Sequence, residues 1–150
     1  MSRERRKADV DGRPAIIRRA GRGDVHAIAT LWERAGLPPS PRGFRSEIAR
    51  LRHRDPELLL IALRDGEIVG AIGGSYDGRT AVLSRLADDA SVRRQGIATL
   101  LVDALCHQLE GLGAGGDELI VLDDTPSAAP FWTAIGFEPA RTAVFFARRA

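Results

Sequence analysis

"LADDASVRRQGIATLLVDAL", residues 86–105, changes its hydrophobic period halfway along. Up to Ala87 the apolar residues continue a strand-like run. After Arg93, residues Ile97, Leu100, Leu101, Ala104, Leu105 and Leu109 recur on one helical face. The junction holds two aspartates, two arginines, a glutamine and a glycine. A helix start exposes N–H groups with no i−4 acceptor and the positive end of the helix dipole, which makes it an anion site. Gly96 has no side chain and Ala98 a small one, so a phosphate can approach the N–H groups of residues 94–98, with Arg93 or Arg94 adding charge. The alternative is that Gly96 only relieves a tight turn and the arginines are solvated. A Walker loop would need Gly-Lys-Ser/Thr, and a dinucleotide fingerprint a third small residue with an acid downstream; neither is present.

Outward from this junction the chain alternates between the two periods. Residues 15–20, "AIIRRA", form a short β-like run, and Asp24 offers an N-cap to a helix with Val25, Ile28, Leu31, Trp32 and Ala35 on one face, stopped by Gly36. "LPPSPRG" breaks regular structure before a second helix carrying Phe44, Ile48 and Leu51, ended at Asp55-Pro56. Residues 57–88 read as an antiparallel three-strand meander with tight turns on Asp65-Gly66 and Asp77-Gly78. The helix after Arg93 ends in the glycines of "GLGAGG", and "ELIVLDD" follows as a strand, so the passage from residue 80 to 122 should be a parallel crossover. Thr125 can cap, and Pro126 can open, a last helix ended by Gly136, with Pro130 in its first turn or so; the C-terminal "GFEPARTAVFFARRA" supplies a strand or hairpin.

Composition limits the class of protein. With 150 residues and 44% hydrophobic content, one sizeable core is expected. The net charge of +2 is no nucleic-acid footprint. Basic residues gather in "MSRERRKADVDGR", read as a disordered tail over 1–13 before a domain spanning 14–150; a basic arm for nucleic acid is the competing use of that tail. The lone Cys106 leaves no disulfide framework, and no stretch approaches about 18 consecutive apolar residues, so a cytoplasmic protein is expected. His26, His53 and His107 lack metal-ligand spacing, and no metal is expected.

The quoted segment resembles the signature of the GNAT superfamily of acyl-CoA-dependent N-acyltransferases, a strand followed by Gln/Arg-x-x-Gly-x-Gly/Ala opening a helix. Arg93, Gly96 and Ala98 fill its three positions. "TPSAAPFWTAIGFEP" is similar to the family's second signature, through Ala128, Phe131, Gly136 and Phe137. The element order and "LWERAGL" look like small bacterial members, over roughly residues 15–147. The resemblance implies an α/β (α+β) fold, a central mixed and mostly antiparallel sheet with a splayed parallel pair, its fourth and fifth strands, and about four flanking helices. It implies acetyl-CoA as co-substrate: the pantetheine arm along Leu86, Ala87 and Asp88, the diphosphate at Arg93, Arg94, Gln95, Gly96, Ile97, Ala98 and Thr99, and further contacts from Thr125 and Trp132. It also implies acetyl transfer to a primary amine in a ternary complex.

That transfer needs a base for an amine whose pKa lies near 10. Asp88, Asp89 and Asp123, with Asp124, stand at strand ends beside the expected cleft, and each has an ordinary alternative as a turn or capping residue. Asp88 and Ala90 replace the family's usual valine and proline, and Thr125 its asparagine. Trp132 stands where many members have a tyrosine acid, so it packs on the pantetheine, donates to sulfur, or belongs to the core. Tyr76 lines the acceptor side or covers a sheet edge, and Cys106 reads as packing rather than nucleophile. The acceptor is a small-molecule or peptide amine, its site shaped by "GLPPSPRGF". A catalytically silent acyl-CoA sensor or partner-binding module is the alternative, and both monomer and homodimer are compatible with the terminal strand.

Overall fold

The computed structural model describes residues 5–10, 13–114, 119–122, 128–139, 146 and 148. Among the described residues six strands lie in chain order across one sheet: β1 (Arg5–Val10), β2 (Arg13–Arg19), β3 (Leu59–Arg64), β4 (Glu67–Tyr76), β5 (Ala81–Asp88) and β6 (Leu119–Leu122). Neighbours pair antiparallel except β5 and β6, which are parallel. Helices α1 (Val25–Arg34) and α2 (Phe44–Arg54) connect β2 to β3, α3 (Ile97–Gly111) connects β5 to β6, and α4 (Ala129–Ala134) follows β6.

The alternation of side chains along β3 divides the core into two layers. Leu58, Leu60 and Ala62 join Ile97, Leu101, Leu105 and Leu109 of α3 on one face. Leu59 and Ile61 join Ile28, Leu31 and Trp32 of α1 and Ile48 of α2 on the other. Burial on both faces is why "LLLIAL" reads as a continuous apolar run. The β3–β4 turn places Asp65 (φ 53°) and Gly66 (φ 79°) in the left-handed region that a two-residue hairpin requires.

Two local expectations are revised. Arg5–Val10 pair with Arg13–Arg19 as an antiparallel strand instead of belonging to a tail without structure. An edge strand is held by backbone bonds along one side and needs no apolar period, so its polar composition hides it. Asp24 stands at the start of α1 but does not cap it: its carboxylate accepts from Gly21 N at 2.6 Å and from Arg18 at 2.7 and 3.1 Å. α4 begins at Ala129 with Pro130 in its first turn, and Gly136 (φ 102°) follows its end. Thr125 and Pro126, like most of the C-terminal strand or hairpin, lie outside the described residues.

Two β4 glycines set how closely α3 approaches the sheet. A Cβ on Gly70 would stand 2.8 Å from Leu101 Cδ1 and 2.9 Å from Ile97 Cγ2, and one on Gly74 3.1 Å from Leu105 Cδ1. The absent side chains seat the first turns of α3 against β4, beside the end of β5.

Candidate active site

The parallel ladder between β5 and β6 runs from Ala81↔Leu119 to Ser84↔Leu122, while β5 continues to Asp88. Leu122 is the last described residue of β6, and residues 123–127 lie outside the described residues. On its other edge β5 is bulged: Ala71↔Ala87 and Gly73↔Ser84 set three steps of β5 against two of β4. Arg85, with φ 59°, lies within that extra step. The bulge interrupts the alternation of side chains at Ser84-Arg85, and this break in "AVLSRLAD" is its sequence signal.

Arg85 fixes the bulge from the α1/α2 side. Its Nε and Nη2 donate to Glu47 Oε2 and Oε1 at 2.8 and 2.7 Å, and Nη1 donates to Pro38 O at 2.7 Å. The guanidinium carbon lies 5.5 Å from the Trp32 ring centroid and 6.0 Å from that of Phe44. The reading of charged residues from sequence missed both Arg85 and Glu47.

Beyond β5 the chain makes a 3₁₀ turn over Ala90–Val92, then a turn through residues 93–96 into α3. Arg94 (φ 63°) and Gly96 (φ 86°) adopt left-handed conformations, so the backbone doubles tightly before the helix. Helix geometry leaves the N–H groups of Ile97, Ala98 and Thr99 without i−4 acceptors at the positive end of a 15-residue helix. Gln95 departs from the expected row of donors: its N–H is taken by Val92 O at 3.2 Å. The Gln95 side chain braces the turn instead, donating to Ser91 O at 3.3 Å and accepting from Nη1 of Arg64, a buried arginine at the end of β3. Ile97 is fully buried and offers only its backbone, whereas Arg93 and Arg94 are exposed.

The two described carboxylates differ in character. Asp89 caps: its Oδ1 accepts from Ser91 N at 2.9 Å and Ser91 Oγ at 2.8 Å, and these bonds hold its pKa below the ordinary carboxylate value. Asp88 is half-buried, and desolvation raises its pKa against the opposing pull of Arg93, whose Nε lies 3.8 Å from Asp88 Oδ1. Asp88, Asp89 and Arg93 line a cavity of about 190 Å³ with Leu31, Arg34 and Ala35. Asp123, Asp124 and Thr125 lie outside the described residues.

The remaining candidates separate by burial. Trp132 is 8% exposed and packs edge-on between Phe131 and Phe137, with centroids 5.1 and 5.3 Å away, as part of the α3-side core. The Tyr76 hydroxyl donates to Gly113 O at 3.3 Å, tying the end of β4 to the turn after α3. Cys106 packs against the same core, and burial first, then Asp103 and Glu110, raises its thiol pKa, which disfavours the nucleophilic thiolate. Among the described residues no helix is long and apolar enough to cross a membrane.

The profile of the acetyltransferase (GNAT) family matches residues 25–137. An acetyltransferase of Pectobacterium atrosepticum is 32% identical over 115 residues, which is 77% of this chain and 82% of that one. Among solved structures, aminoglycoside N-acetyltransferase AAC(6')-Iy, in complex with the bisubstrate analogue CoA-S-monomethyl-acetylneamine, superposes with a TM-score of 0.72 at 19% identity, over 91% of this chain and 99% of that one. Ard1 from Thermoplasma volcanium gives a TM-score of 0.73 at 23% identity, over 85% of this chain and 84% of that one. The two structures share the fold. Together with the 113 residues that the family profile spans, more than half of the 150, the similarity establishes that this chain belongs to the GNAT family of acetyltransferases.

Proposed function

We propose that the protein transfers the acetyl group of acetyl-CoA directly to a primary amine in a ternary complex. The observation that carries this reading is the tight turn through the left-handed Arg94 and Gly96, which sets the N–H groups at the start of α3 beside the end of β5. The backbone of Leu86, Ala87 and Asp88, at the end of β5, would pair with the amide groups of a pantetheine arm. The N–H groups of Ile97, Ala98 and Thr99, with Arg93 and Arg94, would hold the diphosphate. The aminoglycoside acetyltransferase bound to a CoA bisubstrate analogue supports both the co-substrate and an amine as acceptor.

The co-substrate, when bound, supplies an activated acyl group as a thioester. Backbone N–H groups at the end of β5 would polarise a carbonyl without reorganisation. Asp88 takes the proton that the amine must lose; its desolvation makes it a stronger base than the capped Asp89. Trp132 supplies no acid, because indole N–H has no useful acidity and the side chain is packed in the core. That same burial favours the second reading, a silent acyl-CoA-binding module.

Calorimetry with acetyl-CoA on the wild type and Gly96→Trp, followed by a free-thiol assay with a mixed amine library, tests the proposal. Binding lost in the variant, with thiol release in the wild type, is the expected result. Wild-type binding without thiol release selects the silent module, and no wild-type binding overturns the coenzyme assignment.

A further inference from the structure

A cavity of about 550 Å³ lies between α2 and the segment that connects it to α1. Its charged lining comes mostly from one helix. Glu47, Arg50, Leu51 and Arg54 follow the i, i+3, i+4, i+7 spacing that puts them on one face of α2, and His53 and Arg42 complete the rim. Glu47 is the one carboxylate of the lining, and Arg85 already takes both of its oxygens. Arg54 is balanced by Asp55. Among the described residues no carboxylate pairs with Arg42 or Arg50, so the cavity carries a positive excess.

The cavity also adjoins the bulge of β5. Glu47 holds the bulge through Arg85, and Leu51 lies 3.7 Å from where a Cβ of Gly73 would stand, opposite Ser84. Pro38 O, which accepts from Arg85 Nη1, anchors the connecting segment to the same point. Two residues of the cavity lining, Glu47 and Leu51, therefore pack at the bulge of β5 that immediately precedes Leu86–Asp88.

We infer that this cavity selects an acceptor amine bearing an anionic group, a carboxylate or a phosphate, with Arg42 and Arg50 as its recognition residues. The inference rests on the acetyl-transfer reading for the word acceptor, but the charge preference of the cavity stands on its own. Two guanidiniums offer planar, bidentate donor sets matched to carboxylate and phosphate oxygens. The same excess charge repels polycationic amines.

The test is calorimetry on the full chain saturated with CoA, using matched amines: γ-aminobutyrate against its carboxamide, O-phosphoethanolamine against ethanolamine, and kanamycin as polycation. At least one anionic amine should bind about tenfold or more tightly than its matched partner, and the pair that responds tells carboxylate from phosphate. Arg50→Glu and Arg42→Glu should each abolish that preference while leaving acetyl-CoA affinity within about twofold of wild type. Both positions are exposed, and a thermal melt confirms that each variant is folded. Equal or tighter binding of the neutral-tailed amines or of kanamycin overturns the inference, as does failure of every anionic amine to bind. A parallel loss of coenzyme affinity in the variants also overturns it, by assigning the arginines to acetyl-CoA. A thiol-release assay on the same samples reads the chemistry separately: anion-selective binding without release counts against acetyl transfer and leaves the selectivity standing.

Discussion

Arg85 and Glu47 stand 38 positions apart in sequence, yet two hydrogen bonds of 2.8 and 2.7 Å join the bulge of β5 to α2. Only 13% and 19% of their side chains are exposed, so the pair is largely withdrawn from solvent. Arg85 adopts φ 59°, a conformation that costs a non-glycine residue about 1 kcal/mol or more. The bidentate pair, the bond to Pro38 O and the stacking on Trp32 and Phe44 together offset that strain.

Truncating Arg85 leaves Glu47 half-buried without its partner. Arg85→Ala should lose about 2–3 kcal/mol in urea unfolding, less than the ~3–5 of a fully buried pair because water reaches part of both groups. The double variant with Glu47→Ala should be more stable, by about 1–2 kcal/mol, than the sum of the single losses predicts. Strict additivity would show that the two side chains act independently.

Gly70 is a position where size alone decides. Gly70→Val would drive side-chain carbons into Leu101 and Ile97, and should cost about 1–3 kcal/mol in chemical denaturation. Because the displaced residues are in the first turns of α3, acetyl-CoA affinity should fall together with stability. Gly23, which has nothing within 4 Å of an added Cβ, provides the control: Gly23→Ala should leave coenzyme binding unchanged.

Asp88 trades stability for basicity. Its pKa is raised by burial, so the folded chain binds a proton there more tightly than the unfolded chain does. The stabilising contribution is therefore complete below the unfolded value near 3.8 and is lost as pH rises through the higher folded value. At neutral pH the buried carboxylate is a cost, and Asp88→Asn should not lower the melting temperature. Under the acetyl-transfer reading with Asp88 as base, the same substitution should nevertheless reduce kcat about 10²–10⁴-fold and abolish the acidic limb of the wild-type pH–rate profile, along which rate rises as Asp88 ionises. A fully active Asp88→Asn would eliminate this residue as base.

Much of this fold was legible because its elements carry strong periodic or turn signals. The 3.6-residue period of α1 and α3, the Asp65-Gly66 hairpin and the left-handed Gly36, Gly96 and Gly136 each follow from local physics. The helix start behind Arg-x-x-Gly-x-Ala was legible for the same reason. The features that escaped depend on which of several partners a side chain takes: the Asp24 carboxylate turns back to Gly21 and Arg18, three and six positions before it, instead of forward into α1. Arg85 looked like one more strand charge because Glu47, Trp32 and Phe44 come together around it only in the folded chain. The brace between Gln95 and Arg64 escaped because its partner stands 31 positions away in β3.

The bond between Arg64 and Gln95 gives the turn before α3 its rigidity and separates a positioning role from a chemical one. Arg64 is 5% exposed at the end of β3, and Gln95 Oε1 accepts from its Nη1. Gln95→Leu keeps the size of the side chain but removes that acceptor, which should cost about 1–3 kcal/mol because a buried guanidinium loses one of its hydrogen bonds. The turn through Arg94 and Gly96, both left-handed, then relaxes, and the helix-start N–H groups lose their fixed direction. Under the acetyl-transfer reading, KM for acetyl-CoA should rise about three- to tenfold while kcat with a saturating amine stays within about twofold, the signature of lost uniform binding. Gln95→Glu restores an acceptor and adds charge opposite the guanidinium, so stability should return to wild type or above it. A fall in kcat for Gln95→Leu at unchanged KM would instead place this side chain at the reacting atoms.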